Sequence, residues 1–156
     1  MQVSRQTERV VRAVLKERGY IEIASNGVSM FPLIASGTIC RFEPLPERGP
    51  RKGDIVLYMG DNGTFVGHRF HKQVRRNGEE WYVCKGDSVT YPDPLIRKEQ
   101  FIGRMVTIHG KRYSVRTDSL WQRAWGSLLV SYPSLSVLIR CLVRVKLKAQ
   151  GMRASL

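Results

Sequence analysis

The fold is decided by the stretch "DIVLYMGDNGTFVGHRFHKQVRRNGEEWYVCKG", which covers residues 54–86. It contains three runs rich in β-branched and aromatic residues, and the turn signals "DNG" and "NGE" separate these runs. An Asn-Gly pair favours a hairpin turn, because both residues adopt positive φ more readily than other residue types. The stretch therefore predicts three consecutive antiparallel strands.

Further runs of the same kind lie on both sides of this stretch, namely "YIEIAS", "TICRFEP", "RMVTIHG" and "RYSV". Turn signals such as "PERGPRKGD", "YPDP" and "HGKR" separate them from their neighbours. Residues 20–116 are therefore predicted to form a mostly β domain, a bent antiparallel sheet of roughly seven strands.

The N-terminal segment, residues 1–19, is predicted to be an amphipathic helix. Its apolar stripe at helical spacing is formed by Val3, Val10, Val11, Val14 and Leu15. Gly19 is a typical stop signal, so the helix is expected over residues 4–18. We expect its apolar stripe to lie on the core of the domain or on a partner.

The C-terminal segment, residues 117–156, is predicted to be a basic helical extension with one or two amphipathic helices. Asp118 or Ser119 would cap the first helix, and Pro133 would end it before "SLSVLIRCLVRVKLK" begins the second. Residues 124–143 have about the length of a membrane span, but Pro133 and Arg140 count against a true span.

The second C-terminal helix has a basic side and an apolar side. These sides are formed by Arg140, Arg144 and Lys148 and by Leu135, Leu138, Leu142 and Val145. The pattern is typical of a helix that lies in a membrane interface. It is equally compatible with a helix packed on the β domain or on another subunit.

The composition indicates an anionic partner. The chain has 26 basic and 13 acidic residues, a formal net charge of +13. Phosphodiesters and acidic lipid head groups are the obvious candidates. No nucleic-acid motif with interleaved stacking aromatics is present, so we expect no nucleic acid and favour an anionic membrane surface.

The cysteines and the N-terminus indicate the compartment. Cys40, Cys84 and Cys141 are odd in number and form no C-x-x-C pair, so we expect reduced thiols rather than a zinc site. The first twenty residues contain no uncharged apolar run. These features predict a cytoplasmic or peripherally membrane-associated protein.

A candidate nucleophile lies in "SNGVSMFPLI", residues 25–34. Gly27 permits a sharp turn after a strand and Pro32 prevents the strand from continuing, so Ser29 lies at the mouth of a turn. A serine needs a base to act as a nucleophile, and His68 in a predicted strand is the candidate. His71 lies three residues later and is expected on the opposite face of that strand.

Two carboxylates, Asp87 and Asp93, lie six residues apart in the loop "CKGDSVTYPDP". Either carboxylate could orient the imidazole of His68 and stabilise its charged form. The spacing alone does not choose between them. Each is also compatible with an ordinary turn-forming role.

Four short motifs occur in a specific order: "GVSMFP", "RKGDIVLY", "VGHRF" and "CKGDSVTYPD". Together they resemble the type I signal peptidases, serine peptidases related to LexA-like self-cleaving repressors. The resemblance covers roughly residues 23–108, more than half of the chain. Where most bacterial members have lysine, this chain has His68-Arg69, as in the branch found in the endoplasmic reticulum and archaea.

The resemblance implies a role for each matching residue. Ser29 would be the nucleophile, His68 the general base, and Asp87 and Asp93 the acidic residues that support the base. Lys85 lies in the acidic motif rather than the base motif, so a serine–lysine pair is the less favoured arrangement. No metal or organic cofactor is implied.

The implied activity is a serine endopeptidase that cleaves signal or leader peptides after small residues through an acyl-enzyme. The backbone N–H of Ser29 would donate to the oxyanion, and the precursor would bind as an added β-strand. Val28, Met30 and Phe31 are expected to line shallow pockets for its side chains.

Two other functions remain open. A LexA-like self-cleaving regulator would need a helix-turn-helix before the serine and a lysine in place of His68. Only 28 residues precede Ser29, enough for one helix. The second alternative is an inactive basic module that binds membrane or nucleic acid.

Overall fold

The computed structural model describes residues 5–110, 113–132 and 134–154. Helix α1 is Arg5–Arg18. The strands are β1 (Ile21–Ala24), β2 (Ile39–Glu43), β3 (Ile55–Met59), β4 (Phe65–Arg76), β5 (Glu79–Lys85), β6 (Phe101–His109) and β7 (Ser114–Arg116). A short 3-10 helix, Lys98–Gln100, precedes β6, and the chain continues into helices α2 (Leu120–Ser131) and α3 (Leu135–Ala154).

The seven strands form one antiparallel sheet in the order β1-β2-β6-β3-β4-β5, and β7 pairs with β6. Register shifts interrupt the β2–β6, β3–β6 and β4–β5 pairings. Bulges of this kind increase the local twist and bend the sheet. The predicted mostly β, bent antiparallel domain is confirmed.

The two hairpins predicted in the deciding stretch are present. Asn77 and Gly78 have φ values of 50° and 82°, which suits the tight turn between β4 and β5. The β3–β4 loop is longer and is closed by the Gly60 N–H, which donates to the Thr64 carbonyl at 2.9 Å. These hairpins place β4, the strand of His68, between β3 and β5.

Helix α1 packs its apolar stripe on the main core. Leu15 is buried there and Val11 and Val14 are partly buried, whereas Val10 remains 55% exposed. The helix ends as predicted at Gly19, which has φ of 76° and whose N–H donates to the Leu15 carbonyl. Val3 of the predicted stripe and Ser4 of the predicted helix lie outside the described residues.

The C-terminal helices pack on the β domain. Ser119, one of the two predicted caps, accepts a hydrogen bond from the Gln122 N–H at 3.4 Å. Leu129 of α2 forms a small apolar cluster with Ile139 and Val143 of α3, and Phe31 packs against this cluster. Pro133, the predicted break between the helices, lies outside the described residues.

No single helix within residues 5–110, 113–132 and 134–154 is long and apolar enough to cross a bilayer. Helix α2 together with α3 as far as Lys148 reaches the required length and composition only as a pair bent by 105°.

Gly126 of α2 approaches the sheet too closely to carry a side chain. A Cβ at this position would lie 2.7 Å from Arg69 Nη1 and 3.0 Å from the Gly53 carbonyl oxygen. Because Gly126 has no side chain, helix α2 can pack directly on Gly53, in the turn before β3.

We predict that Gly126→Ala lowers the free energy of unfolding by about 1–3 kcal/mol, because overpacking displaces the helix. This loss outweighs the gain of up to about 1 kcal/mol expected from alanine as the better helix former. Denaturant unfolding of wild type and variant measures the difference. The exposed neighbour variant, Ser127→Ala, should stay within about 0.5 kcal/mol of wild type, and equal stability of all three proteins would contradict the packing argument.

Candidate active site

The turn that carries Ser29 is fixed at both ends by Ser25. The Ser25 N–H donates to the Thr38 carbonyl at 2.8 Å, and its Oγ donates to the Ala35 carbonyl at 2.6 Å. Gly27 has φ of 98°, a conformation that other residues adopt only with strain. Strand β1 thus turns sharply after Ala24 and presents the half-buried Ser29.

Strand β4 brings His68 to this turn. His68 lies directly opposite Val56 of β3, so Tyr58, two residues along β3, shares its face of the sheet. His68 Nε2 lies 2.9 Å from Ser29 Oγ, and Nδ1 lies 2.7 Å from Asp93 Oδ2. Ser29, His68 and Asp93 therefore form a continuous chain of hydrogen bonds.

The Asp93 carboxylate is fixed by three contacts. Its Oδ2 accepts from the Tyr58 hydroxyl at 2.8 Å as well as from His68, and its backbone N–H donates to the Cys84 carbonyl at 2.9 Å. Burial, followed by the charge of Asp93, raises the pKa of Tyr58 far above its ordinary value. Tyr58 consequently stays protonated and serves as a permanent donor to Asp93.

This geometry assigns the proton on His68. Because a carboxylate only accepts, His68 Nδ1 carries the hydrogen that is donated to Asp93. Nε2 is then free to accept the hydroxyl proton of Ser29. The side chains of His68 and Asp93 are only 12% and 14% exposed, so little water competes for these hydrogen bonds.

Asp87, expected beside Asp93 as a support for the base, has a different partner. Both of its carboxylate oxygens accept from Arg69, Oδ1 from Nε at 2.8 Å and Oδ2 from Nη2 at 2.7 Å. Both side chains are almost completely buried, and Arg69 Nη1 also donates to the Gly53 carbonyl. The structure thus brings Asp93, and not Asp87, to His68.

The segment around Asp87 also holds the turn of Ser29. The Ser88 N–H donates to the Ser29 carbonyl at 2.9 Å, and Ser88 Oγ donates to the Val28 carbonyl at 2.7 Å. A Cβ on Gly86 would lie 2.8 Å from the Ser29 carbonyl oxygen, so only glycine fits there. The Arg69–Asp87 ion pair therefore supports the turn of Ser29, because Ser88 directly follows Asp87.

Lys85, the less favoured candidate base, is bonded to groups other than Ser29. Its buried Nζ donates to the Val89 carbonyl at 3.0 Å and to Ser136 Oγ of α3. Burial lowers the pKa of Lys85, while the charges of Asp87 and Asp93 oppose that change. The lysine thus joins helix α3 to the loop of the two aspartates, and the hydroxyl of Ser29 is left to His68.

His71 occupies the bulge between Phe70 and Lys72, where β4 loses its regular pairing with β5. Burial, followed by the charge of Lys85, lowers the pKa of His71 from 6.5 to about 4. The other charges that act on it are those of Asp87, Arg69 and Lys52. His71 therefore stays neutral at lower pH than an ordinary histidine.

Ser29 and His68 line a mainly apolar cleft of about 510 Å³. Its walls come mainly from β1, β2, β3, β4 and β6, and its apolar lining includes Ile23, Met30, Phe42, Leu57, Phe65 and Met105. Among the described residues that line the cleft, His68 is the only one with an imidazole, carboxylate, ammonium or guanidinium group. The cleft can therefore receive an extended chain with uncharged side chains next to the serine.

The three residues expected to line substrate pockets lie in three different environments. Met30 is buried and lines the cleft. Val28 is 37% exposed and Phe31 packs under α3, with Lys146 Nζ 4.7 Å from its ring centroid. Neither Val28 nor Phe31 is among the described residues that line the cleft.

Four residues of the site received no role from the sequence. Tyr58 could have been found from the hairpin register, because it shares a face with the strand partner of His68. Arg69 directly follows His68 on β4, so its side chain points to the opposite face of the sheet. A buried guanidinium there needs a carboxylate of its own. Ser88 and Gly86 act through backbone approach, and their residue types alone give no such signal.

Comparison with known proteins adds no family to this geometry. Neither a scan of protein-family models nor a search of curated proteins finds a match to the chain. The site itself defines the class of arrangement, a serine, a histidine and an aspartate joined in series beside a mainly apolar cleft.

We predict that Asp87→Asn destabilises the fold far more than Asp93→Asn. The first change leaves the buried Arg69 without its counter-charge, which costs about 3–5 kcal/mol. The second keeps an acceptor for Tyr58 and costs about 1 kcal/mol. Denaturant unfolding of the two isosteric variants measures both values. Equal losses would show that the two carboxylates do not differ as described.

We also predict that the protein loses stability between pH 6.5 and pH 4. The pKa of His71 is lowered to about 4 in the folded state, whereas the unfolded chain takes up this proton below about 6.5. The free energy of unfolding should therefore fall as pH decreases through this window. The share of this half-buried ring is about 1–2 kcal/mol.

The measurement for this prediction is denaturant unfolding of wild type and His71→Gln across the same pH range. The variant should lose the His71 share of the slope. The matched variant His109→Gln should retain that share. An identical slope in wild type and His71→Gln would contradict the prediction.

Proposed function

We propose that the protein is a serine endopeptidase similar to the histidine branch of the type I signal peptidases, acting on signal or leader peptides. One observation carries this proposal: Ser29 Oγ, His68 and Asp93 are joined by hydrogen bonds of 2.9 and 2.7 Å beside the cleft. The four motifs that carry the family resemblance contain Ser29, His68 and Asp93. They also contain the residues that hold these three in place, namely Tyr58, Arg69, Asp87 and Ser88.

The first step is attack on a peptide carbonyl. His68 Nε2 takes the proton of Ser29 Oγ as the oxygen forms a bond to the carbonyl carbon. Asp93 holds the imidazole through Nδ1–H and stabilises the positive charge that develops on the ring. Tyr58 keeps Asp93 in place throughout, since the raised pKa of its hydroxyl keeps the donor protonated.

The second step releases the products. The protonated His68 gives its proton to the leaving amine, so the peptide bond breaks and an ester to Ser29 remains. His68 then takes a proton from water, which attacks the ester carbonyl, and returns that proton to Ser29 Oγ. Proton transfer and bond formation balance with water as the one reactant besides the peptide.

The substrate is an extended peptide. Strand β1 is the terminal strand of the sheet and leads directly into the turn of Ser29. A substrate paired to such an edge has its carbonyls placed in register with the nucleophile. The lining has no carboxylate and no lysine or arginine, which favours uncharged side chains before the scissile bond. Small residues at these positions are what the family resemblance implies.

Catalysis is tested with a library of extended peptides that carry small residues before a central bond. We predict that Ser29→Ala and His68→Ala each lower kcat/KM on the order of 10⁴-fold, because nucleophile and base act as a unit. Asp93→Asn should lower it by a similar factor through the wrong imidazole tautomer. Product formation is followed by mass spectrometry.

Two matched variants control for general damage. Ser36→Ala changes an exposed serine just beyond the nucleophile turn, and His109→Ala changes a histidine that bonds to Ser114 rather than to Ser29. Both should cleave within about threefold of wild type. Cleavage by Ser29→Ala at the wild-type rate, or no peptide cut by wild type, would overturn the proposal. Cleavage confined to the protein's own chain would favour a self-cleaving regulator instead.

A further inference from the structure

The described side chains of helix α3, residues 135–148, form two apolar faces, and the protein covers one of these two. Ile139 and Val143 are buried against α2, and Ser136 is buried where it meets Lys85. The second face is formed by Val137, Leu138, Leu142 and Val145, which are 53%, 61%, 55% and 67% exposed. A helix turns each residue by about 100°, so this set falls largely away from the buried one.

Helix α2 adds a second exposed apolar face. Trp121 and Leu128 are seven residues apart, a spacing that places them on one side of a helix, and Tyr132 directly follows the last residue of α2. Their exposed fractions are 86%, 41% and 59%. Single exposed apolar residues are ordinary, but two such faces on adjacent helices indicate a surface that is covered by a partner.

The charges of this segment identify the partner. Residues 119–156 hold six basic side chains and no acidic one. Arg144 and Lys148 are exposed and flank the open face of α3 on one side, whereas Lys146 lies on the other side with its Nζ over the ring of Phe31. Long basic side chains beside an apolar face can reach outward while their aliphatic stems lie along it.

We propose that α2 and α3 form an interfacial docking surface for an anionic lipid bilayer. Acyl chains would cover the aromatic and aliphatic side chains, and anionic head groups would meet the flanking cations. A second copy of the chain would oppose like charges across the same face, which disfavours self-association. Nucleic acid would leave the apolar side chains exposed, so the combination of both features favours the bilayer.

The docking surface is independent of the catalytic groups. Ser29 and His68 are not among its residues, and the described side chains of α3 that contact the loop of Asp93 are Ser136 and Arg140. Ser136 accepts from Lys85, and Arg140 Nη1 donates to Thr90 Oγ1 at 2.9 Å. These contacts hold the loop of Asp93 against the inner side of α3, so docking through the outer side leaves the site intact.

The test is flotation of the full chain with vesicles of phosphatidylcholine alone or of phosphatidylcholine mixed with phosphatidylserine. Wild type should float with the anionic vesicles, and each flanking cation should strengthen binding about fivefold. Added salt should weaken the binding. Val145→Glu should weaken it about tenfold or more, because the variant places a carboxylate where an apolar side chain meets lipid.

The matched control is Val10→Glu, which makes the same change in net charge at an exposed valine of α1. It should float within about twofold of wild type. Circular dichroism of both variants establishes that each is folded. A second measurement uses brominated lipid, which should quench tryptophan fluorescence in wild type and less in Trp121→Phe.

Four outcomes would overturn the docking proposal. They are no flotation of wild type with anionic vesicles, equal flotation with neutral ones, equal loss in Val10→Glu and Val145→Glu, and self-association that Val145→Glu abolishes without any vesicle binding. Ser29→Ala should float like wild type. Failure of the peptidase proposal and failure of the docking proposal are therefore distinguishable.

Discussion

The buried ion pair between Arg69 and Asp87 connects the elements that carry the site. Arg69 follows His68 on β4, donates to Gly53 before β3 and lies beneath Gly126 of α2. Asp87 belongs to the loop whose next residue, Ser88, donates to the Ser29 turn. A buried guanidinium tolerates few positions, because its charge must stay paired and its donors bonded. The pair therefore fixes the strand of His68 and the support of the Ser29 turn relative to one another.

The two aspartates of one loop serve different physical purposes because β4 alternates its side chains. His68 and Arg69 are consecutive, so they point to opposite faces of the sheet and each meets one carboxylate. The Asp93 side chain is 14% exposed, and its Oδ2 accepts from Tyr58 as well as from His68. This arrangement would suit a carboxylate that stabilises a positive charge on the imidazole. Asp87 neutralises a permanent charge. The loop that holds both aspartates therefore contacts two consecutive residues of β4.

The sequence predicted the elements well where the signals are local. Every strand run is bounded by turn residues, and Asn77-Gly78 dictates its hairpin by backbone conformation alone. The central position of β6 between β2 and β3 was not predictable, because pairing distant runs depends on core packing. The partner of each aspartate was left open for the same reason, although the alternation of His68 and Arg69 could have separated them. Phe31 packs under α3. The residues next to Phe31 in the sequence do not predict this contact.

The burial of Lys85 has a consequence for how the chain is made. Its ammonium donates to Ser136, which follows 51 residues later in the chain. During synthesis Lys85 therefore stays solvated, and the loop of Asp93 stays untethered to α3, until that serine has left the ribosome. The ordering of the site is thereby delayed until helix α3 is available to pack on the loop.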